Sequence, residues 1–305
     1  MKHSRASEKQ KRTIQAAVLK WYRSHERDLP WRHERNPYRI LVSEIMLQQT
    51  QVSRVLVLYA RFLERFPTLE HLARARTSSV IKAWKGMGYN NRALRLQQLA
   101  RRVVADSNSE LPRSVDALMK LPGVGRYTAH AVACLAFRHQ VPVVDTNISR
   151  ILRRLFPLKK SSNQVHINDD WALAAELLPH RAAGKWNQAL MDLGATICIA
   201  ASPRCDQCPL LELCPSAHRV SRTKKRTGKP ERGRGGIPNR IYRGRIVEAL
   251  RTLRQGQAIS PGTLARKAVS DFNFRDRQWF DSLLESLERD GLIRRHSRCR
   301  ISLPA

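Results

Sequence analysis

Four of the six cysteines in this chain lie within seventeen residues, CIAASPRCDQCPLLELC, running from Cys198 to Cys214. Whatever joins those sulfurs must bend the backbone back on itself, because only six, two and five residues separate Cys198, Cys205, Cys208 and Cys214. The unequal gaps exclude a pair of identical knuckles. A zinc ribbon carries two C-x-x-C knuckles about 15–20 residues apart, and here only Cys205 and Cys208 form one. The chain opens with MKHSRASEKQKRT, charged and with no apolar run behind it, so it does not read as a secretory signal. Apolar stretches such as AVACLAF are far too short to span a bilayer. These features predict an intracellular protein whose clustered thiols stay reduced and bind metal rather than pair as disulfides. Structural zinc and an iron–sulfur cluster both remain open, since each accepts four thiolates.

Charge narrows the partner. Lys and Arg outnumber Asp and Glu by 56 to 25, a formal charge of +31. A field of that sign gathers polyanions, nucleic acid first and an anionic membrane surface second. The segment HRVSRTKKRTGKPERGRGGIPNR has almost nothing to bury and reads as a disordered linker. The chain therefore divides into a main domain over 1–218 that includes the cysteine loop (198–214), a basic linker over 219–238 and a small module over 239–305.

Before the linker the pattern is helical. QKRTIQAAVLKWYRSH places Ile14, Val18, Trp21 and Tyr22 on one face at the i, i+4, i+7, i+8 spacing. ALRLQQLARRVVA and DWALAAELL repeat that period, and VPVVDT is the one strand-like run. In the tail, IYRGRIVEALRTL is amphipathic with Ile246, Val247, Leu250 and Leu253 inward. SPGTLARKAV offers Ser260 as a cap and Pro261 in the first turn, and RQWFDSLLESLERDG stops at Gly291. LIRR and CRISL then predict a terminal hairpin. Three helices and a hairpin suggest a winged-helix-like module, suited to DNA or to packing against the main domain. The fold class expected is mainly α with a small C-terminal α+β part.

Three stretches carry candidate chemistry. LMKLPGVGRYTAHAVACLAF reads as helix, tight turn, helix, with Gly123 and Gly125 giving the backbone freedom the turn needs. The second helix would then aim its free N–H groups and positive dipole end outward, which holds a phosphate without reading sequence. In VPVVDTNISRILRR, Asp145 stands at the mouth of another helix, where an N-cap is the ordinary role. In RILVSEIMLQQTQVSRVL, Glu44 lies among apolar neighbours, where a carboxylate must be paired or protonated; Arg32 and Arg39 are candidate partners.

Taken together, WRHERNPYRILVSEIMLQQTQV, GMGYNNRALRL, LPGVGRYTA, VVDTN and the four-cysteine loop closely resemble the adenine DNA glycosylase family. That family belongs to the helix–hairpin–helix superfamily that includes endonuclease III. The resemblance runs from about Trp31 to Cys214, roughly two-thirds of the chain, with the motifs in family order. It implies that Cys198, Cys205, Cys208 and Cys214 hold one 4Fe-4S cluster of structural role, and that Gly123, Val124 and Gly125 meet the DNA backbone. It implies Glu44 as general acid at the adenine and Asp145 as the ionised partner of the sugar cation, a division of labour glycosidases share. The wedge that fills the gap left by a flipped base falls to Leu47, Gln49 and Tyr89. Arg32 and Asn147 would line the pocket. Tyr127 stands where lyase-active relatives carry a Lys nucleophile, which implies a monofunctional enzyme.

Three departures bear on specificity. Asn90 replaces a second tyrosine after the glycines, and Asp192, with Gln188, stands where the family carries a pocket Glu. The tail is too short for the usual C-terminal domain that recognises 8-oxoguanine. The expected activity is removal of adenine mispaired with 8-oxoguanine or guanine in double-stranded DNA. Removal of thymine or uracil opposite guanine is the alternative enzyme, and a non-catalytic DNA-binding protein the alternative class. A monomer without membrane partners is expected, in the cytoplasm and on the nucleoid if the source is prokaryotic.

Overall fold

The computed structural model describes residues 6–157, 167–219, 231–297 and 299–305. Its elements in order are α1 (Glu8–His25), α2 (Pro37–Leu47), α3 (Val52–Arg65), α4 (Leu69–Arg74), α5 (Thr77–Ala83), α6 (Asn91–Asp106), α7 (Val115–Met119), α8 (Arg126–Leu135), α9 (Thr146–Leu155), α10 (Ile167–Glu176) and α11 (Ala183–Thr196). The tail follows with a hairpin of β1 (Gly233–Arg234) and β2 (Ile237–Pro238). After it come α12 (Asn239–Arg251), α13 (Pro261–Ala268), α14 (Arg277–Arg289), and a second hairpin of β3 (Arg294–His296) and β4 (Arg300–Ser302). The fold is mainly helical with a small α+β tail, as the periodicity predicts. No helix among the described residues is long and apolar enough to cross a membrane.

The chain forms two compact units. The first gathers Met1–Ile40, Arg113–Met119 and Val124–Arg226. Ser7 caps α1 by accepting from the Gln10 N–H at 3.2 Å, and the helix buries Ile14, Val18, Trp21 and Tyr22, the face its spacing marks. α11 packs on both α1 and α9. Ile148, Ile151, Leu152 and Leu155 of α9 meet Trp186, Leu190 and Leu193 of α11 in one core, and Leu210 of the cysteine loop is bedded in it. α7 and α8 pack together across the LPGVG turn.

The second unit gathers Leu41–Pro112, Lys120–Gly123 and Thr227–Ala305. α4 lies on α6, where buried Gln97 donates to the carbonyls of Leu72 and Ala75 at 3.2 and 2.7 Å. In the tail, Ser260 caps α13 and Pro261 opens it, while Gly291 (φ 72°) ends α14. Tyr242, Ile246, Val247, Leu250, Phe280 and Leu284 form its core, and Ile81 of α5 and Leu94 of α6 belong to that same core. The tail is thus not a tethered module: it shares buried apolar surface with helices made far earlier in the chain.

Two expectations need correction. VPVVDT is not a strand. The Asn187 side chain accepts from the Val143 N–H at 3.1 Å and donates to the Val141 carbonyl at 3.0 Å, supplying the bonds a neighbouring strand would otherwise give. Residues 231–238, expected as linker, form an ordered hairpin; 220–230 lie outside the described residues. Gly235 and Gly236 both take positive φ (57° and 73°), which a two-residue hairpin turn favours. Arg234 anchors the hairpin on Asp276 and Asp271 at 2.6 and 2.8 Å.

Candidate active site and thiol loop

In the first unit, Asp145 caps α9 by accepting from the Ile148 N–H at 2.7 Å, while its second oxygen takes the Asn147 amide at 2.8 Å. Burial raises the Asp145 carboxyl above its usual range, outweighing the donors that pull it down. The helix terminus alone, which favours an ionised form, does not decide this group. Arg150, one turn into α9, donates to the Asn147 side chain at 2.8 Å, to the Gly194 carbonyl at 2.7 Å and to the Cys198 carbonyl at 2.7 Å. Asn147 is pressed against α11: a Cβ on Gly194 would lie 2.6 Å from the Asn147 Cβ. Asp145, Asn147, α11 and the start of the cysteine loop are therefore tied into one network.

Asp192 of α11 is fully buried and receives two guanidinium groups. Arg32 grips both its oxygens, at 2.5 and 2.6 Å, and Arg27 adds a side-chain bond at 2.5 Å and its own N–H at 3.2 Å. Arg32 and Asp192, expected as separate pocket residues, are thus partners. Gln188 accepts from the Tyr22 hydroxyl at 3.3 Å. Arg27 carried no motif and went unnoticed in the sequence.

In the second unit, Glu44 sits in α2 with 4% of its surface exposed, between Ser43 and Ile45, both buried. α2 ends at Leu47, which is half-buried; Gln49 beyond it is exposed with φ 54°. Tyr89 is 54% exposed with φ 43°. Both residues thus sit in the left-handed region that side chains seldom occupy. Buried Arg92 holds them. Its guanidinium donates to the carbonyls of Ile45, Met46 and Gln48 at 2.9, 2.9 and 2.5 Å, satisfying carbonyls that the end of α2 leaves open. It also donates to Thr50 Oγ1, Met87 and Gly88 at 3.0, 3.0 and 3.3 Å. Burial lowers its pKa to about 10, which leaves it a cation at neutral pH. Its charge lies 5.5 Å from the Trp84 ring centroid and 5.6 Å from that of Tyr89. Arg92 is the second residue the sequence reading missed; its signal was a lone basic position in the otherwise apolar face of α6.

The hairpin turn divides its two glycines. Gly123 needs to be glycine, with φ 77° and the Arg95 Cβ only 2.8 Å from any added Cβ. Gly125, expected to share that need, has ordinary backbone (φ −90°) and open space around it. It stands at the N-cap of α8 and makes no side-chain cap bond. Val124 between them is buried. Tyr127 is half-buried against Ala131, Cys134, Val143 and Ala183.

No two of the six cysteines are joined in a disulfide. Cys198 follows α11, Cys205 and Cys208 bracket a 3-10 turn, and Cys214 closes a second one. Burial pushes the Cys208 thiol up to about 11, and Cys198, Cys214 and Cys205 each add to the shift, so the four sulfurs share one field. Arg154 holds the loop's entrance, donating to the Cys198 sulfur at 3.2 Å and to the Ile199 and Ala200 carbonyls, each at 2.9 Å. The His218 N–H reaches the Cys205 sulfur at 3.5 Å. Among the described residues, no three His, Cys, Asp or Glu side chains are grouped as for a single metal ion. Four soft donors whose thiolates would repel one another without a cation, with a guanidinium directed at Cys198 and an N–H at Cys205, fit a centre that takes thiolates. Cys134, bonded by Asn187, and exposed Cys299 are not part of it.

Comparison with known proteins places the chain in a family. Residues 42–171 match the HhH-GPD superfamily of base excision DNA repair proteins. The chain is 41% identical over 290 residues to the adenine DNA glycosylase of Mycobacterium tuberculosis, covering 94% of this chain and 92% of that one. The solved structure of a thermostable thymine-DNA glycosylase is 34% identical, with a TM-score of 0.65 over 70% of this chain and 98% of its own. That of a non-covalent endonuclease III–DNA complex is 26% identical, with a TM-score of 0.60 over 68% and 97%.

Proposed function

The chain belongs to the adenine DNA glycosylase family, and on that premise we propose that it excises adenine from DNA opposite 8-oxoguanine or guanine. It is a DNA glycosylase of base excision repair. Its substrate is duplex DNA, whose phosphates the excess of 31 positive charges attracts. It works as a monomer on intracellular DNA.

Glu44 is the proton donor to the departing base, and Asp145 stabilises the positive charge that develops on the sugar. Water then adds its hydroxyl to the sugar carbon and returns its proton to Glu44, so adenine is released and an abasic site is left. Asn147 and Arg150 hold Asp145 in place, and Arg32, fixed by Asp192, shapes the pocket. Leu47, Gln49 and Tyr89 fill the gap left by the flipped base, and Gly123, Val124 and Gly125 receive a backbone phosphate. Tyr127 offers no amine, so no Schiff base forms at that position. Cys198, Cys205, Cys208 and Cys214 would hold one 4Fe-4S cluster, which supplies covalent closure of the loop through four Fe–S bonds. All of these groups lie within residues 1–218.

The observation that carries this reading is Glu44, a carboxyl 4% exposed within an apolar helix. Incubation with duplexes bearing A opposite 8-oxoguanine, A opposite G and T opposite G, followed by alkaline cleavage, tests it. Release of thymine and not adenine would replace it with the thymine–guanine reading, which the likeness to the thymine-DNA glycosylase favours. No release from any duplex would leave a DNA-binding protein.

A further inference from the structure

We infer that a basic cavity in the second unit, lined by none of the proposed catalytic residues, is a binding site for a run of phosphate groups. The cavity lies where the tail covers the end of α3 and the start of α5. Arg65, Arg76, Lys82, Arg254, Arg294 and His296 line it, and no Asp or Glu side chain does. Among the described residues none of the four arginines has a carboxylate partner.

This is not what the same elements do a turn away. Glu248 of α12 accepts Lys85 at 2.7 Å and Arg251 at 3.0 Å, so cations near this edge of α5 and α12 are neutralised where an acid is supplied. On the cavity side no Asp or Glu lines the wall, and the one carboxylate there, that of Ala305, is set on the Thr77 N–H. Like charges facing a shared space repel one another, a cost even in water. An anion in their midst turns that cost into attraction. The remaining donors suit phosphate oxygens: the Ser78 and Ser79 side chains line the same wall, and guanidinium groups bind phosphate in two-pronged fashion.

The walls are held in register. Lys82 donates to the Leu253 carbonyl at 2.8 Å, fixing α5 to the loop after α12. The Thr77 N–H reaches a carboxylate oxygen of Ala305 at 3.2 Å, and His296 bonds Ser302 at 2.8 Å across the β3–β4 hairpin. The cavity therefore exists only because the tail shares its core with α5 and α6. Its ligand is a chain of phosphates, either the backbone of bound nucleic acid or a free polyphosphate.

Full-length protein carrying R76A, R254A and R294A separates these sources. All three side chains are exposed, so the fold tolerates their loss. A control removes equal charge from the exposed face of α1 with K9A, K20A and R23A. Wild-type and control protein should gain thermal stability from inorganic tripolyphosphate at constant ionic strength, and the cavity variant should lose that gain. If nucleic acid fills the site, the slope of log affinity against log salt for an undamaged duplex should fall by about two to three in the cavity variant and not in the control. Loss of the tripolyphosphate response with an unchanged slope identifies a free polyphosphate. Cavity and control variants that behave alike in both measurements overturn the inference. The outcome is independent of which base is excised, because neither readout involves glycosidic cleavage.

Discussion

Arg150 donates to the carbonyl of Cys198 across 2.7 Å, and so ties the helix that Asp145 caps to the first residue of the thiol loop. Its other nitrogen holds Asn147, which in turn donates to Asp145. Replacing Arg150 with Ala strands two carbonyls and frees the Asn147 amide. A charged hydrogen-bond donor is worth about 1.5–3 kcal/mol, so the melting temperature should drop and base excision should slow by at least about tenfold. Arg150→Lys keeps charge without the fork and should recover only part of both. Equal rates for Ala, Lys and wild-type proteins in single-turnover assays would detach Arg150 from Asp145 function.

Glu44→Gln removes the proton donor while keeping shape. Excision should fall by about 10²–10⁴-fold with little change in duplex affinity. Asp145→Asn should lose comparably, for want of charge beside the sugar.

Asp145→Asn also makes a stability prediction with a definite sign. The Asp145 carboxyl is raised in the folded protein by burial. Below the unfolded value the group is neutral in both states and costs nothing; as pH rises through the folded value, ionisation in a buried place lowers stability. The variant should therefore gain melting temperature relative to wild type as pH goes from acid to neutral. A gap that stays constant with pH would contradict the assignment.

Arg92→Lys retains a cation but cannot reach carbonyls on both sides of the turn. Gln49 and Tyr89 should lose their fixed positive-φ placement. Fluorescence of 2-aminopurine placed at the target position should then rise less on binding, with affinity for undamaged duplex nearly unchanged. Because the defect lies in opening the helix, adenine opposite an abasic site, where the gap is already made, should be cut at closer to the wild-type rate. A uniform loss on both substrates would mark Arg92 as a support of the fold alone.

Protein purified without oxygen should carry about four irons per chain and absorb in the visible. Cys208→Ser should abolish both, and Cys134→Ser and Cys299→Ser should leave them intact. Stoichiometric zinc without iron would establish the other centre the spacing allows.

Most of the helical framework was legible because apolar spacing and capping residues act locally: Ser7, Ser260 and the Ile14–Val18–Trp21–Tyr22 face each declare themselves within a few positions. The strand-like VPVVDT misled because its partner is a single side chain, Asn187, more than forty residues away. Arg92 and Arg27 were illegible for the same reason. What defines them is a set of acceptors on distant segments: Arg27 lies in a loop with no pattern around it, and the apolar face of α6 marks Arg92 as buried without saying what it binds. The hairpin was readable in outline, but which of its glycines is sterically required depends on Arg95, which only the packing reveals.

The shared core of the tail also sets an order of events during synthesis. Ile81 and Leu94 leave the ribosome some two hundred residues before the helices that cover them are complete. At about 5–20 residues per second, they face solvent for roughly 10–40 s. A chain that stalls within the tail would present a sticky, half-built face, so the cell's chaperones, and not only its DNA, must deal with how this protein ends.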